Sequence, residues 1–373
     1  MKPHRKPISR RAGLGLGFLA AALIIQGLAV SFDVYGAGLR QLGRTFSALL
    51  GRVFSVLPFP VSEWILVLAL PALIAAAIVL LRRHGGKEGF KRLLSGLVFV
   101  AGLTALLFVL CLGVQYGAPA IDRRLALPTA AFSTEQLASL TDYLLTKANE
   151  AAEAAPRGAD GLCDFGRFRD MSRQVAGAYR IVHAGGARYM TVEPALLNPA
   201  PPKKTLLLGK VMSYLGISGY YFPWTGEAVV SDDTPDVMLP TTIAHEAAHA
   251  HGIAPENAAN FVAILAMNDT SKALPDPGFS YSTWFAAYLY AGNALYRADY
   301  ARWLDIYLRQ SPLLVRDLAA YQAHLDQYAT PVRDAGTAVN DTYIKATGQP
   351  AGVQSYGQVV DLMLSWYLYG DCG

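Results

Sequence analysis

Three long runs of the chain carry no charged side chain: Ala12 to Phe32, Trp64 to Leu81, and Leu93 to Ile121. Each is long enough to cross a hydrocarbon core of about 30 Å at 1.5 Å per residue. They predict three transmembrane helices, at about 12–32, 62–81 and 93–115. Between the first two, GLRQLGRTFSALLGRVFSVLPF spaces Arg40, Arg44 and Arg52 by four and eight residues, on one helical face. That pattern predicts an amphipathic helix near 37–57, lying in the membrane interface or packed on the outer domain.

Beyond the third run the pattern becomes that of a water-soluble domain. Ser133, with Gln136 three residues on, has the form of a capping box, and the helix it starts runs to about Ala155. Pro156-Arg-Gly-Ala-Asp-Gly breaks it, a second helix follows over 166–180, and the proline-rich stretch 193–204 is an extended loop. SGYYFPWTGEAVVSDD is the strongest strand signal, with aromatic and β-branched residues between Gly219 and the Asp232-Asp233 pair. It predicts either an exposed strand that takes up a peptide by strand addition, or a hairpin that fills the core with Tyr221, Phe222 and Trp224. Helical periodicity then returns over 241–251, 255–268, 280–309, 312–328, 332–346 and 353–369. The expected fold is a mainly α membrane protein. Three transmembrane helices occupy 1–121, followed by an α-rich domain over 122–373 with a small β-sheet or hairpin.

Composition agrees with that division: 53% of residues are hydrophobic and 16% charged. Residues 1–128 hold fifteen Lys and Arg against four Asp and Glu; the remainder holds seventeen against twenty-four. The basic excess therefore follows membrane topology and argues against a nucleic-acid partner. Basic residues cluster before the first run (Lys2, Arg5, Lys6, Arg10, Arg11) and between the second and third (Arg82, Arg83, Lys87, Lys91, Arg92). By the positive-inside rule both segments are cytoplasmic and the C-terminal domain is extracytoplasmic, in a multi-pass cell-membrane protein. The basic start also suits a signal peptide, but no clear cleavage site follows it, so the first run is expected to stay as a span. Of three cysteines, Cys111 falls in a span. Cys163 and Cys372 fall in the outer domain, either bridged or as separate thiols.

The chemistry is concentrated in HEAAHAHGIAPENAANFVA, from position 245. Two histidines four apart on a helix lie one turn apart on one face, so His245 and His249 can reach the same metal ion. Glu246 sits beside that face, where a carboxylate can accept a proton from a water. Gly252 can end the helix in a left-handed turn, Pro255 suits the start of the next, and Glu256 then returns to the same ion as a third ligand. Asn260, one turn past Glu256, is placed to orient a ligand through a hydrogen bond. The plainer alternative is a pair of core histidines capped by a turn. His251 is around the helix from the ligand face and is expected at the surface or the helix end; His183 and His324 are expected to be structural.

These residues resemble the zinc-binding helix pair of gluzincin-type metallopeptidases, in which HExxH is followed by ExxA[DN]. The whole chain resembles the bacterial domain-of-unknown-function 3810 family, through the same motif together with PFP at 58–60, GYYFPWTGEA at 219–228 and VNDTYIKATGQPAGVQSYGQVVDLML near the end. The resemblance implies a membrane-anchored zinc metallopeptidase with a zincin-like domain. Members carry a second acidic residue where this chain has Ala258, a departure that favours Glu256 as the carboxylate ligand. Zn²⁺ held by His245, His249 and Glu256 would activate a water, with Glu246 as general base and a tyrosine such as Tyr281 as an oxyanion donor. Expected partners are a peptide or protein substrate and the lipid bilayer. The alternative is a non-catalytic membrane protein with a structural metal site. Structural sites usually close with four protein ligands, often cysteines, and no cysteine lies near this motif. A transporter fits less well, since the spans lack charge and no paired repeat is present.

Overall fold

Helix α1 (Arg10–Ser31), α2 (Asp33–Ser55), α3 (Val61–His84) and α4 (Gly86–Cys111) follow one another with short connections. The computed structural model describes residues 9–128, 131–190, 196–269, 278–346 and 355–370. Of these four helices, α1, α3 and α4 are long and apolar enough to cross a membrane. The third begins before its apolar run, because Lys87, Lys91 and Arg92 continue the helix. Only Gly85, with φ 73°, separates it from α3. A Cβ at Gly102 on α4 would come within 2.1 Å of the Gly15 carbonyl on α1. Small residues thus allow the close backbone approach typical of membrane helices.

In α2 the face bearing Arg40 and Arg44 is buried, while Leu42, Phe46, Leu49 and Val53 are exposed. The Arg40 guanidinium donates to the Gly117 carbonyl (3.0 Å), and the Gln115 amide donates to the Arg40 carbonyl (2.9 Å). Arg52 is exposed. Helix α3 has no capping side chain of its own. Its first amides, Val61 and Ser62, donate instead to Glu227 (3.0 and 2.8 Å).

The chain divides into two units. The first comprises Met1–Ala118 with Ala195–Leu197 and Phe222–Glu227, and the second holds the rest. The second unit contains α5 (Ile121–Leu125), α6 (Thr134–Ala154), α7 (Phe168–Ala184), β1 (Lys203–Lys204) and α8 (Gly209–Tyr214). Next come β2 (Gly219–Phe222), β3 (Glu227–Val230), α9 (Leu239–Ala250), α10 (Glu256–Asp269), α11 (Phe279–Ala298) and α12 (Tyr300–Tyr307). It ends with α13 (Pro312–Gln327), α14 (Pro331–Ala346) and α15 (Ser355–Tyr369). As the alternation of polar and apolar residues predicts, the protein is mainly helical with one small sheet. The strand order is β1-β3-β2, with β1 parallel to β3 in the register Lys203↔Val229.

Ser133 and Gln136 form the expected capping box of α6. The run 280–309 is not one helix but two. Asp299 interrupts it, extended at φ −155°, and its side chain accepts from the Arg302 amide to cap α12. Helix α10 is central: Ala258 through Met267 are all buried, with Phe261, Phe285 and Tyr179 among the largest enclosed side chains. Its alanines keep the girth small enough for α9, α7, α11 and α15 to pack around it.

Candidate metal centre

Helix α9 ends where Gly252 takes φ 87°. The Gly252 amide donates to the His249 carbonyl (2.9 Å) and the Ile253 amide to the Ala248 carbonyl (3.0 Å), the two bonds of a Schellman turn. That turn also presents the Ile253 carbonyl to Nδ1 of His249 at 2.7 Å. A carbonyl only accepts, so Nδ1 carries the proton and Nε2 keeps its lone pair for the site. Pro255 then leads directly into α10, whose first residue is Glu256.

The three expected ligands converge. Nε2 of His249 lies 3.1 Å from Nε2 of His245, and the Glu256 carboxylate lies 3.2 Å from His245 and 3.5 Å from His249. One ligand atom from each lies within 4.8 Å of the others. Burial alone would raise the Glu256 pKa, but His249 and His245 outweigh it and hold the carboxylate well below its usual range. Burial likewise disfavours charge on His249, yet Glu256 opposite carries its pKa up to about 9. The space between the three side chains therefore favours positive charge, which a divalent cation supplies as well as a proton does. Two neutral imidazoles and a carboxylate form a donor set that suits zinc.

Glu246 is buried beside this set, and burial pushes its carboxyl up to about 7 against the opposing pull of His245 and His249. Its Oε2 has no hydrogen-bond partner among the described residues. Strand β2 lies against it, since a Cβ built on Gly219 would sit 2.5 Å from its Oε1. No residue larger than glycine fits there without moving the carboxylate. Asn260 is buried, and its Oδ1 accepts from the Tyr290 hydroxyl (3.3 Å), while its Nδ2 and Nδ1 of His245 have no partner among the described residues. The bond from Asn260 to a ligand expected from spacing is not among those formed.

Other expectations change. Tyr281 is fully buried and donates to Asp317 (2.7 Å), so it is committed elsewhere; Tyr290, bonded to Asn260, is a tyrosine beside the centre. His251 is at the helix end but buried, stacked on Tyr179 at 4.8 Å, because α7 packs over α9 there. Cys163 is a buried thiol beside Asp317, and burial pushes its pKa up; Cys372 lies outside the described residues. Of the hairpin, Phe222 and Trp224 pack edge to face, and Trp224 donates to the Thr104 carbonyl (3.0 Å) within the first unit. Sequence reasoning missed Gly219 and Tyr290. The glycine that opens the strand was visible as a boundary, but nothing local showed which side chain it faces.

Helices suited to a membrane, joined to an α-rich domain with a half-buried His/His/Glu cluster, define a class of membrane protein with a candidate metal site. The chain belongs to the family described as protein of unknown function DUF3810, whose model matches residues 40–364. No curated protein and no solved structure matches it.

Proposed function

We propose that the protein is a membrane-anchored zinc metallopeptidase. The observation that carries this reading is the convergence of His245, His249 and Glu256 beside a buried Glu246 with one unpartnered oxygen. Zinc held by those three side chains would supply a Lewis acid and lower the pKa of a water to about 7. His249 is held in the ligating tautomer by Ile253. Glu246, enclosed beside the three side chains, would take a proton from the attacking water and return it to the leaving amine. Strand β2, at the sheet edge and against Glu246, offers a line along which an extended peptide can bind. A buried acid without a partner is costly in a purely structural site, which favours catalysis over the structural alternative.

The test is metal content of the full chain purified in detergent, with a broad peptide-cleavage screen of wild type and Glu246→Gln. Zinc should remain bound in the variant while cleavage falls by roughly 10²–10⁴-fold. Cleavage at the wild-type rate with zinc in place would show the mechanism to be wrong. Loss of zinc or of folding would return Glu246 to the scaffold and favour a structural site. The domain that carries the centre is proposed to be extracytoplasmic. A reporter fused after Gly373 should then be active only in a form that requires export; cytoplasmic activity would reverse the orientation.

A further inference from the structure

A cavity of about 440 Å³ opens beside the centre, wholly within the second unit. Its wall includes Thr242, one turn before Glu246 on α9, and Ser218, which precedes the glycine packed on Glu246. Tyr290, whose hydroxyl reaches Asn260, lines it as well. One turn of helix is about 5.4 Å, less than two residues of extended peptide. A group held here thus belongs to the same bound chain as a bond presented to Glu246. The volume suits one or two side chains of a ligand.

The charge of the wall is one-sided. Arg297, in the last turn of α11, and Arg333, near the start of α14, both line the cavity, and no Asp or Glu among the described residues does. Arg297 is exposed and forms no hydrogen bond or ion pair with a described residue. Arg333 donates from Nη1 to the Leu325 carbonyl (3.1 Å), which fixes its head and, among the described residues, leaves its other N–H groups without a hydrogen bond. His324 also lines the wall but is already set against Asp233 (3.9 Å), which accepts from the Ser213 hydroxyl. The two guanidinium groups are therefore the cationic groups left for a ligand, and their planar forks match a carboxylate.

We propose that this cleft is the specificity subsite of the centre and selects peptides carrying a carboxylate close to the cleaved bond, with Arg297 and Arg333 receiving it. The inference rests on the peptidase reading and deepens it. The carboxylate is either a chain terminus or an Asp or Glu side chain, a distinction that the test resolves.

The probe is one fluorescein-labelled hexapeptide of Ala and Phe in three forms: amidated and neutral, with a free C-terminus, and amidated with one Ala replaced by Glu. Binding is measured by anisotropy on the full, zinc-loaded chain in detergent, at two salt concentrations. One of the acidic forms should bind roughly tenfold more tightly than the neutral form, and that form identifies the source of the carboxylate. Arg297→Ala, an exposed and unbonded position, should shrink the preference; Arg297→Ala with Arg333→Gln should abolish it and leave the neutral peptide unaffected. Equal binding of all three forms would overturn the proposal, as would a preference that survives the double variant. An intact, arginine-dependent preference with no cleavage of any peptide would instead sustain the subsite and remove the peptidase reading.

Discussion

In the first unit the helices turn Leu23, Leu42, Val53 and Leu70 outward and enclose Arg40, Arg44 and Glu63. In the second, Phe261, Phe285 and Leu295 are enclosed, and the titratable side chains buried with them among the described residues include Glu246 and His249 at the centre, His251 stacked behind it, and Asp317 away from it. The same chain thus follows two solvent rules. Where helices meet hydrocarbon, outward leucines carry no docking signal, and a buried arginine serves to satisfy loose carbonyls such as that of Gly117. In the second unit, which has no helix apolar enough to cross a membrane among the described residues, an enclosed charge is costly unless it is paired, so each marks either a scaffold network or chemistry. Glu246 and Asp317 show the two cases. Asp317 is paired on every side, by Arg157, Tyr281 and Cys163, whereas Glu246 keeps an oxygen with no partner.

The sharpest way to break this contrast is at the third ligand. Glu256→Gln replaces a carboxylate with a neutral amide oxygen, a poorer ligand. Zinc affinity of the purified chain, measured by competition with a chelator, should fall by more than the roughly 100-fold typical of losing a residue that only orients a ligand. An unchanged affinity would move the third ligand elsewhere and leave Ala258's neighbourhood to be searched for it.

How much of this was legible follows the same division. The convergence of the three candidate ligands was readable because its geometry is local: spacing fixes His245 and His249 on one face, and Gly252 with Pro255 fixes the return to Glu256. The capping box at Ser133 was readable for the same reason. The apolar helices could be counted from hydropathy alone, but their ends could not, since Lys87 and Arg92 continue a helix beyond the segment that the bilayer selects. Helix α2 was visible as an arginine face, yet spacing does not say which side faces protein, and Arg40 and Arg44 point inward. Asp299 was misread within one long helical run, because an aspartate inside a periodic pattern looks the same whether it faces solvent or caps the next helix. Gly219 was hidden because its role is set by a carboxylate distant in sequence.

A smaller effect is expected where charge is enclosed for stability alone. Asp317→Asn removes the partner of Arg157, whose Nη1 lies 2.7 Å from the carboxylate, and disturbs the acceptor of the Tyr281 hydroxyl. Breaking a buried pair costs about 3–5 kcal/mol. Because Arg157 keeps some solvent contact, the lower end of that range is expected, about 3 kcal/mol. Chemical unfolding of the detergent-purified chain measures it, with zinc stoichiometry as the control. Loss of zinc without loss of stability would mean that Asp317 belongs to the centre, and the contrast with Glu246 would fail.

The smallest effect is expected in the membrane unit. Glu227 is enclosed, and its two oxygens accept from the Val61 and Ser62 amides at the open N-terminus of α3; the Thr225 hydroxyl also donates to it, at 2.9 Å. A carboxylate there satisfies two of the four amides that a helix leaves unpaired and complements the positive end of its dipole. Glu227→Gln keeps one acceptor and the side chain's size but loses the charge and the second acceptor. The expected cost is about 1 kcal/mol, since an uncharged cap still holds one amide. Amide exchange at Val61 and Ser62 reads this directly and should speed up by roughly five-fold, the kinetic counterpart of that energy, while amides in the middle of α3 stay protected. Unchanged exchange at both positions would show that the charge contributes nothing to the cap. Faster exchange along the whole helix would show that Glu227 anchors α3 as a body, and that charge in the membrane unit supports more than the local backbone.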